Sequence, residues 1–240
     1  MARPLGFSTG SLTAGDFRSA LAVLDSTSAT AVELSALRES ELPALLDALP
    51  GLSLTKFGHV SFHAPSALSS YREAELAQLL LERVASRGIA VVVHADIITN
   101  ADYWKPLKRW LLVENMDKRK SAGRTASELR PILSACAQAR LCVDLAHARQ
   151  VDPTLLETTL ILREFARRVG QLHVSELSTQ SRHEPLSFAA CAALRAVATL
   201  IPPDVPAILE FKSDTHEIDS HLKLVSNTLS PALQLIRSAG

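Results

Sequence analysis

The chain carries no excess of either charge: 25 Lys and Arg balance 25 Asp and Glu over 240 residues, and the pI is near 7.1. No global field therefore draws it toward nucleic acid or an anionic membrane. Cysteine is scarce. The three present, Cys136, Cys142 and Cys191, are an odd number without metal-type spacing, each in an apolar stretch, which predicts buried reduced thiols. No apolar run approaches the ~18 residues of a membrane span, and the opening MARPLGFSTGSL has no long apolar segment. The expectation is a cytoplasmic protein with no membrane partner. A Gly-rich phosphate turn is missing too, since the first β-like run leads into STGSL rather than a dinucleotide fingerprint.

What is present is alternation. With 47% hydrophobic and 21% charged residues, the chain has material for a large core. Eight short β-like runs stand out: PLGFSTGSL, TAVELS, KFGHVSFHAP, IAVVVHAD, LLVENMD, LCVDLAHA, QLHVSELS and AILEFK. IAVVVHAD is the clearest, continuous and β-branched as a strand covered on both faces should be. Helical runs lie between them. Phe17, Ala20, Leu21 and Leu24 recur at helical spacing, and SSYREAELAQLLLERVASRG closes on Gly88. RESELPALLDAL, ASELRPILSACAQA, PTLLETTLILREFARRV and SFAACAALRAVATL follow the same pattern, and Glu217 to Arg237 would form the eighth helix.

This order predicts an α/β fold, a single (β/α)8 TIM barrel spanning residues 1–240 as one domain. Its fourth outer helix should be short, because only about a dozen residues, TNADYWKPLKRW, separate the fourth and fifth runs. The runs stop at or one residue from a metal-binding type of group, with Glu33, His63, His94, Glu114, Asp144, His173 and Glu210 supplying seven endings. One such ending would be an ordinary solvated loop residue. A parallel barrel, however, gathers all its strand ends on one face.

Glu114, Asp144, His173 and Glu210 would therefore converge from the last four strands. Carboxylates with an imidazole suit Mn, Zn, Co or Mg, and a cation would relieve the repulsion among three crowded acids. His63 and His94 end the third and fourth strands and could hold a second ion bridged by Glu114. His147, three residues after Asp144, could be brought back over the site by the first turn beyond the strand, and His183 in SRHEPLS lies in the loop after the seventh strand. His59, His216 and His221 lack this context and read as structural. Candidate substrate contacts are Glu33, Glu176, Arg182 and Lys212; the last two could equally pair with the carboxylates. The stretch from Lys105 to Arg124 holds seven basic residues with Trp104 and Trp110 nearby. It could track phosphates, but neutral overall charge favours a solvated face. Ser8, Thr9 and Ser11 read as turn and cap residues.

VSFHAP, VVVHAD, LLVEN, CVDLAHA, QLHVSE, RHEPLS and AILE follow the order found in the xylose isomerase-like barrels, which the chain resembles over nearly its whole length. That superfamily holds sugar isomerases and epimerases and the endonuclease IV family of DNA repair enzymes. The epimerase resemblance implies one ion on Glu114, Asp144, His173 and Glu210, with Glu114 and Glu210 moving protons and His147 contacting substrate. The endonuclease resemblance implies three zinc ions, with His63 and His94 joining Glu114 and with His147 and His183 holding the third. The chain departs from these patterns at three places. Ser181 stands where the endonuclease loop has an aspartate, SFAA replaces a Gly-rich stretch, and HVSEL places Glu176 one position later than the usual aspartate.

The leading expectation is a metal-dependent isomerase or epimerase acting on a small sugar or hydroxy-carbonyl compound by Glu-mediated proton transfer. The alternative is a zinc phosphodiesterase or AP endonuclease; a second alternative is a non-catalytic metal-binding protein. The expected partner is a small-molecule substrate rather than nucleic acid, and a homo-oligomer is left open.

Overall fold

The alternation in the β-like runs sorts side chains to two faces, and this decides the architecture. The computed structural model describes residues 2–230. Its strands are β1 (Leu5–Ser8), β2 (Ala31–Ser35), β3 (His59–His63), β4 (Ala90–His94), β5 (Leu111–Glu114), β6 (Arg140–Asp144), β7 (Val169–Val174), β8 (Glu176–Leu177), β9 (His183–Glu184) and β10 (Ala207–Leu209). β1 to β7 pair in parallel in chain order, and β10 closes the barrel between β7 and β1. This is the eight-stranded (β/α)8 barrel that the sequence predicts. β8 and β9 form a separate antiparallel ribbon.

Every second strand residue faces the helices. Val32, Leu34, Phe62, Val91, Val93, Val113, Val143, Leu172 and Leu209 are fully buried in one core with Leu24, Leu80, Leu129, Ile161 and Leu222 of the surrounding helices. Each large side chain removed from water there contributes roughly 1.5–3 kcal/mol. The intervening residues face the barrel interior, which is split by chemistry. Ala90, Val92, Leu112 and Cys142 make a small apolar cluster on one side. Ser8, Glu33, Ser35, Ser61, Gln171 and His173 fill the rest with polar groups, all buried.

Local signals explain the helix ends. Asp16, Thr125 and Ser187 cap the helices Phe17–Asp25, Ala126–Ala135 and Phe188–Val197 by accepting a backbone N–H with their side chains. Between β4 and β5 lie the 3-10 turn Ala95–Ile97, the four-residue helix Ala101–Trp104 and the 3-10 stretch Lys105–Trp110, the shortened connection expected. Trp104 anchors it, fully buried, with its Nε1 donating to Glu73 at 2.7 Å.

Three boundaries differ from the sequence reading. β2 runs two residues past Glu33, so Glu33 is inside a strand rather than at its end. DLAHA turns straight into a helix, Leu145–Val151, because Asp144 accepts the His147 N–H at 2.7 Å and caps it. The next helix then begins only at Leu156. The last described helix is Ile218–Leu229, and residues 231–237 of the expected stretch lie outside the described residues. Cys136, Cys142 and Cys191 are buried free thiols. No described helix is long and apolar enough to cross a membrane.

Candidate metal centre

Strand register brings the strand-end residues to one level. His94 is the partner of Glu114 across β4 and β5, Asp144 of His173 across β6 and β7, and His173 of Ile208, two residues before Glu210. One donor atom from each of Glu114, Asp144, His173 and Glu210 lies within 4.8 Å of the others. His173 sits among them, its Nδ1 3.2 Å from Glu114 Oε1 and 3.2 Å from Glu210 Oε2. Three further donor sets share members with this one. His63 and His94 approach Glu114 Oε2 with their Nε2 atoms at 3.1 and 3.5 Å, Asp144, His147 and His183 form the third set, and Glu33, His63, His173 and Glu210 form the fourth.

The ring orientations are held from behind. His63 Nδ1 donates to the Ala64 carbonyl at 2.6 Å, leaving Nε2 toward the centre. His147 Nδ1 faces the Asn115 carbonyl at 3.0 Å, and His183 Nδ1 faces the Ser175 hydroxyl at 2.8 Å. Asn115 clamps the end of β6, donating to the Asp144 carbonyl and accepting the Asp144 N–H at 2.9 and 2.8 Å.

The electrostatics are those of crowded buried acids opposed by histidines. Burial alone would raise the Glu114 carboxyl, but His173, His94 and His63 outweigh it and hold it well below its usual range. Glu210 is likewise opposed by burial yet brought to about 2, chiefly by His173. Burial would pull His173 down, but Cys142 and the carboxylates of Glu210, Glu33 and Glu114 raise it well above its ordinary value. Burial pushes Asp144 up, and its Oδ2 is a buried oxygen without a hydrogen-bond partner among the described residues. An unpartnered carboxylate oxygen beside two other acids and a histidine is the donor chemistry a divalent ion satisfies, so these residues fit one.

Without an ion, protons balance the charges of this cluster, and this has a measurable consequence. Burial opposes the His63 imidazolium, but Glu114 raises it from 6.5 to about 9, so its stabilisation is full below pH 6.5 and lost as pH rises toward 9. Burial lowers His94 from 6.5 to about 3, so stability is lost as pH falls below 6.5. Glu210, brought from 4.5 to about 2, adds a loss below pH 4.5. The chelator-treated protein should therefore be most stable near pH 6.5, with flanks on the order of a few kcal/mol, or several degrees of Tm. Thermal melts from pH 3 to 10 measure this; a Tm flat across that range would contradict the arrangement.

A cavity of about 250 Å³ opens over the centre, lined by His63, His94, Glu114, His147, His183 and Glu210. Asp144 and His173 are fully buried behind it. The four residues expected to contact substrate are not on its wall. Glu33 is fully buried in the barrel interior, bonded to Ser61 and Gln171. Glu176 is turned away by Arg149 and by the Ser187 N–H, at 3.3 and 2.8 Å. Arg182 and Lys212 are exposed, outside the cavity lining. Glu176, Arg182 and Lys212 follow the ends of β7 and β10, and the direction of the chain there is not carried by composition.

The wall instead includes Ser11, Asp117, Arg119 and Lys120. Arg119 and Lys120 come from the basic stretch, on a loop closed where the Met116 N–H meets the Gly123 carbonyl at 2.8 Å. Gly123 has φ +79, and a Cβ there would come within 2.3 Å of Ala95. Both cations are engaged: Arg119 by Asp117 at 3.0 Å and Lys120 by Asp96 at 2.8 Å. Arg124 pairs with Glu128 and Lys105 with Asp102. Four of the seven basic residues in the stretch are thus held in ion pairs. In the sequence, Arg119 and Lys120 are visible as part of the basic run just after Glu114, and Ser11 as a residue at the end of the first strand.

No protein-family model matches the chain, and no curated protein matches it. Solved structures do. The IOLI protein with a bound zinc atom aligns at 13% identity over 95% of this chain and 96% of its own, with a TM-score of 0.60. A xylose isomerase domain-containing protein from Salmonella typhimurium aligns at 16% identity over 94% and 97%, TM-score 0.56. The fold they share with this chain is the (β/α)8 barrel. The apo 3-keto-D-glucoside 4-epimerase of E. coli has it too, at 12% identity over 94% and 98%, TM-score 0.55. At such identities a (β/α)8 barrel is what the chains share, and the chemistry rests on the residues described above.

Proposed function

We propose that this chain is a divalent-metal-dependent isomerase or epimerase of a small sugar or hydroxy-carbonyl compound. The observation that carries the reading is the placement of two carboxylates, Glu114 and Glu210, on either side of one His173 nitrogen, both facing a cavity of about 250 Å³. That volume suits a small molecule better than a polymer. Fold analogy with a zinc-bearing protein and a sugar epimerase supports the reading.

Glu114, Asp144, His173 and Glu210 would hold the ion, which when bound supplies a Lewis acid for a carbonyl and its neighbouring hydroxyl. Proton transfer falls to the chain. Glu114 and Glu210 are kept ionised by the surrounding histidines, so either can accept a proton from substrate carbon and return it. His147 and His183, at the cavity wall, are placed to donate hydrogen bonds to substrate hydroxyls. The protein purified without added metal tests the reading: about one ion per chain by elemental mass spectrometry, and metal-dependent uptake of deuterium into ketoses, aldoses or hydroxy-ketoacids. A broad screen with Mn, Co, Mg and Zn that shows no exchange would sink it.

A second reading, a multinuclear phosphodiesterase, is favoured by one observation: the flanking donor sets share Glu114 and Asp144 with the central one. Two features oppose it. Ser181, where a further carboxylate would serve the third set, is instead bonded to Gln150 at 2.8 Å. The cations at the cavity mouth are already paired. The expected result is no tight binding and no incision of duplex DNA carrying an abasic site at physiological salt, where several free phosphate contacts would be needed. Cleavage lost in Glu114→Gln, together with two or three ions per chain, would make this the better reading.

A further inference from the structure

We propose that Glu33 is a positioning residue for the centre: from β2 it takes the Nε2–H of His173 and so commits the opposite ring nitrogen, Nδ1, to an ion held with Glu114 and Glu210. The inference rests on the reading that His173 is a metal ligand. Glu33 is fully buried in the barrel interior and lines no part of the cavity, so it meets no substrate. A carboxylate so placed is costly to bury and needs partners.

Its partners converge on one oxygen. Ser61 Oγ lies 3.0 Å from Glu33 Oε2, Gln171 Nε2 2.6 Å and His173 Nε2 3.1 Å, while Oε1 has no hydrogen-bond partner among the described residues. Register sets all three: Ser61 is the β3 partner of Glu33, and Gln171 shares the inner face of β7 with His173 two residues on. The Gln171 amide is oriented in turn by His59, whose Nε2 is 2.8 Å from its Oε1, so that its nitrogen faces Glu33. Gln171 Nε2 and His173 Nε2 lie 3.0 Å apart, both beside the same Glu33 oxygen. In the proposed arrangement both donate to it, which places the His173 proton on Nε2 and leaves Nδ1 as the nitrogen 3.2 Å from both Glu114 and Glu210. A carboxylate on the distal nitrogen of a metal-bound histidine fixes its tautomer and raises its basicity, an effect of about 10–100-fold in metal affinity.

The test uses the full chain loaded with Co(II) and, in parallel, Zn(II). In the wild type, NMR should show a paramagnetically shifted, exchangeable imidazole proton, absent in His173→Ala and slow to exchange with solvent because Glu33 covers it. Glu33→Gln should weaken zinc binding by about 10–100-fold in chelator competition and shift that proton or speed its exchange. If Glu33→Gln does not fold, the wild-type signal decides alone: no exchange-protected His173 proton means Nε2 is the ligand or Glu33 itself coordinates, and either overturns the proposal. Equal affinity and an unchanged signal in folded Glu33→Gln overturns it while leaving the metal reading intact. A wild type that binds neither metal overturns both.

Discussion

Asp144→Asn, Glu114→Gln and Glu210→Gln are each expected to lower divalent-metal affinity by ~10²-fold or more, beyond the effect of losing an outer-shell partner. The barrel should remain folded, since none of the three contributes to the apolar core between strands and helices. Asp144→Asn is the cleanest case. Its Oδ2 is already without a hydrogen-bond partner among the described residues, and burial opposes its charge, so the amide costs the metal-free protein little. His173→Ala should behave differently. It removes the imidazolium lying within 3.2 Å of Glu33, Glu114 and Glu210 and leaves buried carboxylates uncompensated. That variant should lose metal and also be destabilised in the metal-free state by roughly 3–5 kcal/mol at neutral pH. Calorimetric titration and thermal melts of chelated protein separate the two patterns. Unchanged stoichiometry and affinity in all four variants would remove this centre.

The contrast between these residues shows what could be read in advance. The barrel was legible because a period of two in VVVH, LLVE and RLCVD puts apolar residues against helices and leaves every other position for the interior. The convergence of Glu114, Asp144, His173 and Glu210 followed from the same arithmetic, since parallel strands align their ends. Depth was not legible. Glu33 has the same flanks, Val32 and Leu34, whether its strand stops there or continues to Ser35, and only pairing with β3 reveals which. Loop residues were least legible. The β8–β9 ribbon that turns Glu176 toward Arg149 and brings His183 back over Ser175 is two residues long on each side, too short for a periodic signal. Arg119 and Lys120 were visible as charge, but their pairing with Asp117 and Asp96 depends on tertiary contact.

Hydrogen exchange at substrate carbon should then separate the two glutamates from everything around them. If Glu114 and Glu210 act as base and acid across the cavity, the protein incubated in heavy water should place deuterium alpha to the carbonyl of its substrate even where net turnover is slow. Each glutamine variant, assayed at metal concentrations that restore occupancy, should lose ~10²–10⁴-fold in exchange rate, the size of a general acid–base contribution. His183→Ala should lose much less. His183 lies outside the set formed by Glu114, Asp144, His173 and Glu210 and is grouped instead with Asp144 and His147. The pH profile carries a sign as well. Both glutamates are held below their ordinary range, so exchange should persist into mildly acid solution and fail only as the pair becomes protonated. The limiting values belong to the coupled pair rather than to either residue. Exchange that survives in both glutamine variants with metal bound would show that neither carries the proton, and the centre would then have to act through its histidines.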